Sequence, residues 1–222
     1  MKAILTLIIF MMLFSMSCSD TGKSNKGAAQ ENQMIYFKYD SSNKPMYYIS
    51  EKLVPDSIWR EKLGKALVTI YLGKEWWRED KNTFKEADDI GIKVLLEASK
   101  AIENDAGTAA FVLRQMGPAG CEAMLKSLKE TIAKKGGPDI YFIGELGDSG
   151  YQNAKGVLSE ILNNADYFPD VRIAATKALA KLGDYSGLNV LKKMRDDERY
   201  GDLRELLDKE IREIEKTGKN KK

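Results

Sequence analysis

Two cysteines, Cys18 and Cys121, and the complete absence of histidine bound the chemistry open to this 222-residue chain. Without imidazole there is no His-based triad, no zinc site with imidazole ligands and no ordinary general base for neutral pH. Cys121 falls on an apolar stripe with no base beside it, so a small buried hydrophobe is expected there rather than a nucleophile. Asp88-Asp89 and Asp196-Asp197-Glu198 gather carboxylates, but sequence neighbours on a helix point in different directions, so solvated faces are expected, not a cation site. Trp59 and the pair Trp76-Trp77 are expected as core or cap residues ahead of ligand platforms. No phosphate loop, dinucleotide fingerprint or EF-hand spacing occurs. A Ser–Lys or paired-carboxylate enzyme needs only common residues, and nothing in the sequence favours one. No catalytic residue, metal ligand or cofactor is assigned. Two cysteines are too few for a disulfide framework, and 35 basic against 33 acidic residues give no field that would gather nucleic acid.

The elements that would carry any activity begin with an export signal. Residues 1–17 run from Lys2 through the apolar stretch Ala3–Phe14 to Ser15-Met16-Ser17, and Cys18 follows. One positive charge, an apolar core and small residues before a cleavage point describe a secretory leader, too short for a transmembrane span of roughly 20 residues. With Cys18 at the boundary, the segment resembles a bacterial lipoprotein signal of the looser kind, in which Ser15 stands where Leu is usual. The resemblance implies that Cys18 carries acyl chains and that the protein sits in the bacterial envelope, at the outer membrane, facing the periplasm or the cell surface. The alternative is an ordinary cleaved leader with Cys18 left as a free thiol, a liability in an oxidising compartment.

Residues 18–33 then form the lipidated cysteine and a polar tether, since Ser19 to Gln33 has no large apolar residue to offset ordering entropy. Residues 34–55 change character: Ile35-Tyr-Phe-Lys-Tyr39 and Met46-Tyr-Tyr-Ile49 flank a turn-rich run ending in Pro45. A short β-hairpin or an extended arm is expected, serving either as a cap on the first helical face or as an aromatic recognition surface.

From Asp56 onward helical periodicity takes over. Residues 56–83 are expected as an N-terminal helical cap. Thr83-x-x-Glu86 reads as a capping box, followed by one long helix with Phe84, Ala87, Gly91, Val94, Leu95, Ala98 and Ile102 on one face. Further stripes include Cys121–Ile132, Ala154–Leu162, Val171–Leu182 and Leu203–Ile214, with breakers between them. Each helix is short, and none can hide its stripe alone. Leu113-x-x-Met-Gly117, Ile143-x-x-Leu-Gly147 and Leu179-x-x-Leu-Gly183 suggest an internal repeat of helix stops, 30 and then 36 residues apart.

The run Pro169-Asp-Val-Arg-Ile-Ala-Ala-Thr-Lys-Ala-Leu-Ala-Lys-Leu-Gly-Asp184 resembles the second helix of a HEAT repeat of the short bacterial type. The resemblance implies an all-α fold, an α-solenoid of about three and a half to four helix pairs over residues 84–216, with a polar tail at 217–222. Pro169 suits the first helical turn and Asp170 complements its positive terminus; Asp170 and Arg172 are expected as structural inter-repeat residues, and the resemblance implies that the arginine bridges to an acidic group of an adjacent repeat. Phycobilin lyases share such repeats, but a pigment-handling role needs a cytoplasmic setting that the leader contradicts. The expected function is therefore a membrane-anchored, non-catalytic scaffold for a protein partner. Its contacts would be non-stripe residues of the second helices: Arg114 and Gln115, Tyr141 and Glu145, Lys177 and Lys181. The competing expectation is an envelope enzyme or small-ligand binder using the aromatic region around Tyr36–Tyr48 and Trp76-Trp77. Neither the partner's identity nor the oligomeric state can be read from the sequence.

Overall fold

The computed structural model describes residues 34–39, 41–43, 45–71, 77–101 and 106–219, with no side chain described over 70–81. The leader, Cys18, the tether, Trp76 and the side chain of Trp77 lie outside what is described. Strands β1 (Ile35–Tyr39) and β2 (Pro45–Ile49) pair antiparallel, Ile35 opposite Ile49 and Tyr36 opposite Tyr48. Alternation divides the hairpin: Ile35, Tyr47 and Ile49 are buried, while Tyr36 and Tyr48 stack on the other face with centroids 5.1 Å apart. β2 packs on the first helix and β1 on the third, so the hairpin's apolar face closes the N-terminal end of the helical array.

Ten α-helices follow among the described residues: α1 (Ser57–Tyr71), α2 (Trp77–Glu86), α3 (Asp89–Ala101), α4 (Ala106–Gln115), α5 (Pro118–Ala133), α6 (Ile140–Asp148), α7 (Lys155–Asn163), α8 (Pro169–Lys181), α9 (Leu188–Asp196) and α10 (Arg204–Lys219). Successive helices pack as pairs, α3 with α4 through α9 with α10, and α1 with α2 stands before them. Between pairs, α4 packs on α6, α6 on α8 and α8 on α10, forming one layer, while α3, α5 and α7 form the other. Such stacking is how short amphipathic helices bury their stripes.

One kind of joint recurs. The backbone turns into the left-handed region at Asp88 (φ 48°), Gly117 (φ 78°), Gly150 (φ 70°) and Gly183 (φ 83°), each just past the end of an even-numbered helix. At Gly183 the stop is a full Schellman motif, with the Asp184 N–H donating to Leu179 O at 2.8 Å and the Gly183 N–H to Ala180 O at 3.0 Å. The three glycine joints stand 33 residues apart at each step. The same step relates the buried trios Leu113, Leu146 and Leu179, and Leu125, Leu158 and Leu191.

Two expectations are corrected here. The long helix over 84–102 is two helices, and the Thr83–Glu86 pattern closes α2 instead of opening its successor. Gly91 allows the sharp joint, because a Cβ there would collide with the Phe84 carbonyl. Gly120 stands in the same relation to Leu113 at the α4–α5 joint. Gly147 is no helix stop either. It lies inside α6, where a Cβ would come within 2.7 Å of the Ala178 Cα, so its role is close helix contact and the stop falls to Gly150.

Most buried side chains form one core from Ile35 to Leu182, and a second cluster of Ile173, Ala180, Leu191, Met194, Leu207, Ile211 and Ile214 belongs to the last pair. Helix α8 serves both: Ala175, Ala178, Leu179 and the following Leu182 face the first, Ile173 and Ala180 the second. Its many alanines fit this double duty, since small side chains let two neighbours approach closely.

Candidate protein-docking face

The six residues expected to be outward contacts divide into two groups. Four of them hold the second-helix layer together. The Arg114 guanidinium pairs with Glu145, joining α4 to α6, and both side chains are about three-quarters buried. Lys181 pairs with Asp148, joining α8 to α6. Lys177 Nζ lies 2.8 Å from Glu210 Oε2, joining α8 to α10, and Glu210 is nearly buried. Lys177 and Lys181 keep more than two-fifths of their side-chain surface exposed, and each of the four charges is met by a partner on the next helix. A layer made of parallel helices leaves the residues beside each stripe within reach of the next helix, so their charges meet there. The pairs exposed to solvent are worth only about 0–1 kcal/mol each. Gln115 is half-buried. Tyr141 is 48% exposed, with its ring edge against Gly107 at the start of α4.

Arg172 also departs from the expectation that it bridges to a carboxylate. It is 7% exposed; its Nε donates to Leu162 O at 2.9 Å and its Nη1 to the Tyr200 hydroxyl at 3.3 Å. A carbonyl in the last turn of α7, unpaired within its own helix, is the acceptor that a buried cation can satisfy there. Asp170 is exposed and accepts from the adjacent Val171 N–H at 2.8 Å, in the first turn of its own helix where its charge complements the positive terminus, and no ion pair joins it to a neighbouring repeat among the described residues.

Helix α6 begins at Asp139, whose carboxylate accepts from the N–H groups of Tyr141 (2.8 Å) and Phe142 (3.3 Å). Burial nevertheless raises its pKa above the usual aspartate value, outweighing those two hydrogen bonds. Because the raised value disfavours the ionised fold, any resulting penalty is present at neutral pH and vanishes as acid protonates the group. Asp139→Ala should therefore cost about 1 kcal/mol for the lost cap. Asp139→Asn should match or exceed the native stability at pH 7 and lose that advantage below the carboxylate range. Urea denaturation at pH 7 and near pH 3 checks both signs.

The described part of the aromatic region borders an open groove. Between β2 and α1 a space of about 540 Å³ is lined by Tyr47, Tyr48, Ile49, Gly64 and Val68, with Arg60, Glu61 and Lys65 at its rim. Glu61 is the one carboxylate in that lining, and its ion pair with Lys65 holds its pKa down. Trp59 packs partly buried on the core with Lys62 Nζ 4.9 Å from its ring centroid. Cys121 is buried at 3% exposure on the apolar side of α5. Asp196 pairs with Arg195, and Asp197 with Arg199 while accepting the Arg199 N–H.

One surface residue was not foreseen. Phe168, just before Pro169, is 79% exposed, the most exposed large apolar side chain described, while the adjacent Tyr167 turns to the core. The sequence hides this, because two consecutive aromatic residues at a helix entrance carry no sign of which one turns inward.

Two layers of short helices, joined by left-handed stops at a constant interval and braced along one layer by ion pairs, define a helical-repeat protein. Residues 139–208, from the cap of α6 into α10, match the family model for HEAT repeats, in keeping with the repeated helix pairs of that stretch. No curated protein and no solved structure gives a significant match. No described helix is long and apolar enough to cross a membrane.

Proposed function

We propose that the protein is a non-catalytic docking scaffold of the bacterial envelope, tethered by acyl chains on Cys18 and presenting its second-helix layer to a protein partner. The observation that supports this best is how the layer's charges are spent. Arg114, Glu145, Lys177 and Lys181 brace neighbouring helices into a continuous surface, on which Tyr141 is exposed and Gln115 half-buried. A stiff surface loses little freedom on binding, which favours a docking role. The polar composition of residues 19–33 suits a tether that sets the scaffold off the bilayer.

A photo-crosslinking residue placed at Gln115 or Tyr141 in intact cells should yield discrete protein adducts, whereas one at exposed Lys126 on the opposite layer should not. Adducts from neither layer would remove the scaffold role. In the same cells, Cys18→Ser should shift the protein from the membrane to the soluble fraction and abolish incorporation of a clickable fatty acid; unchanged membrane association would remove the anchor.

A further inference from the structure

The scaffold layer has one edge whose chemistry specifies a partner. Helices α6 and α8 occupy the same place in successive units, Leu146 answering Leu179 and Gly150 answering Gly183, and they pack side by side with Gly147 against Ala178 and Asp148 paired with Lys181, as like helices of stacked repeats do when they run in the same direction. Their first turns therefore share an edge. Arg172 brings the 198–203 segment to the same place through the Tyr200 hydroxyl. Along this edge stand Ile140 (36% exposed), Tyr141 (48%) and Phe168 (79%), three of the eight large apolar side chains described as exposed.

Charge surrounds them unevenly. Asp166, Asp170, Glu198 and Asp202 are all exposed, and none forms an ion pair among the described residues. The cations nearby in the chain are Arg199, already paired with Asp197, Arg204 beside Asp196, and Lys134 and Lys135 at the end of α5. An exposed ring costs solvation without return unless something covers it. A covering surface rich in carboxylates would meet like charge, whereas one bearing cations would gain both apolar contact and electrostatic complementarity.

We propose that this edge docks a peptide segment of the partner in which an aromatic or long aliphatic side chain is flanked by lysine or arginine. The inference rests on the scaffold reading and adds to it the chemistry of the partner. Phe168 supplies the apolar contact, Tyr141 and Ile140 extend it, and the carboxylates at 166, 170, 198 and 202 select basic flanks.

The test uses the full chain in detergent and three fluorescein-labelled probe peptides built around the same Phe-Leu centre: one flanked by Lys and Arg, one by Asp and Glu, one by Ser and Gly. Fluorescence anisotropy should give the basic probe at least a ten-fold advantage over the acidic one, shrinking as salt rises from about 0.05 to 0.3 M. Phe168→Ser should weaken the basic probe about ten-fold, as truncating a central aromatic contact does. The double change Asp166→Asn, Asp170→Asn should erase most of the preference for the basic probe over the neutral one. Melting temperatures of the variants should stay within a few degrees of the native value, since Phe168, Asp166 and Asp170 are exposed and asparagine at 170 keeps an acceptor for the Val171 N–H. Equal affinity for all three probes, absence of binding by the basic probe, or indifference to Phe168→Ser would overturn the proposal. Crosslinks from Gln115 that persisted after such a result would leave the scaffold role standing and place the partner elsewhere on the layer.

Discussion

Arg172→Ala is expected to destabilise the fold by about 3 kcal/mol, the cost of withdrawing a buried cation that satisfies two groups and fills the space between them. Its guanidinium links the last turn of α7, through Leu162 O, to the Tyr200 hydroxyl ahead of α10. Truncation leaves that carbonyl facing the interior and opens the seam between the two apolar clusters. For a chain of this size the change corresponds to a melting point lower by roughly 6–12 °C, at about 2–4 °C per kcal/mol. Tyr200→Phe should cost less, about 1 kcal/mol, since only one neutral partner is lost. Arg172→Lys should fall between the two, because an ammonium cannot reproduce the planar fork. Thermal melts followed by circular dichroism decide it. A loss under about 1 kcal/mol for Arg172→Ala would mean that solvent replaces the guanidinium and that the link is incidental.

The second large effect has opposite signs at neighbouring glycines. Gly120→Ala is expected to cost about 3 kcal/mol, because the new methyl meets the Leu113 backbone carbonyl, which cannot swing aside as a side chain would. Gly91→Ala should behave alike against Phe84. Gly144 and Gly156 are helical glycines with open space around the position of a Cβ. There alanine should stabilise, by up to about 1 kcal/mol, through helix propensity and a less disordered unfolded state. Chemical denaturation of the four single variants measures the contrast. Equal and small effects at all four would show that the joints relax and that glycine is not needed in them.

The alternating fortunes of these glycines show what the sequence disclosed and what it withheld. The stripes gave the helices because burial on one side leaves a period of 3.6 that survives in any fold. Gly117 and Gly183 were legible as stops because only a residue without a Cβ sits easily in the left-handed region. Gly147 carried the same apolar-x-x-Leu-Gly wording for a different reason, closeness to Ala178, and that substitution of meaning produced intervals of 30 and 36 where the joints keep 33. The α2–α3 joint was missed because its left-handed residue is Asp88, not glycine, and because both helices feed one core, so the apolar rhythm runs on across the break. The hairpin followed from alternation and turn residues, and its apolar face against α1 from the need to cover an end.

The candidate face was less legible, for a geometric reason. Whether Lys177 meets solvent or Glu210 depends on a helix 33 residues further along the chain, and no local pattern encodes that distance. Arg172 was identified as structural, but the family expectation of a carboxylate partner failed because the nearest acceptor needing a donor was a helix-end carbonyl. Phe168 required knowing the direction in which the chain enters α8. Such contacts are set by tertiary packing, and a single sequence carries only their raw materials.

The constant interval between joints has a consequence for growth. Since Gly117, Gly150 and Gly183 present like geometry to whatever follows, a whole unit inserted or excised at these points would leave every remaining turn intact. Length in such a molecule can change by whole units without redesign of a centre.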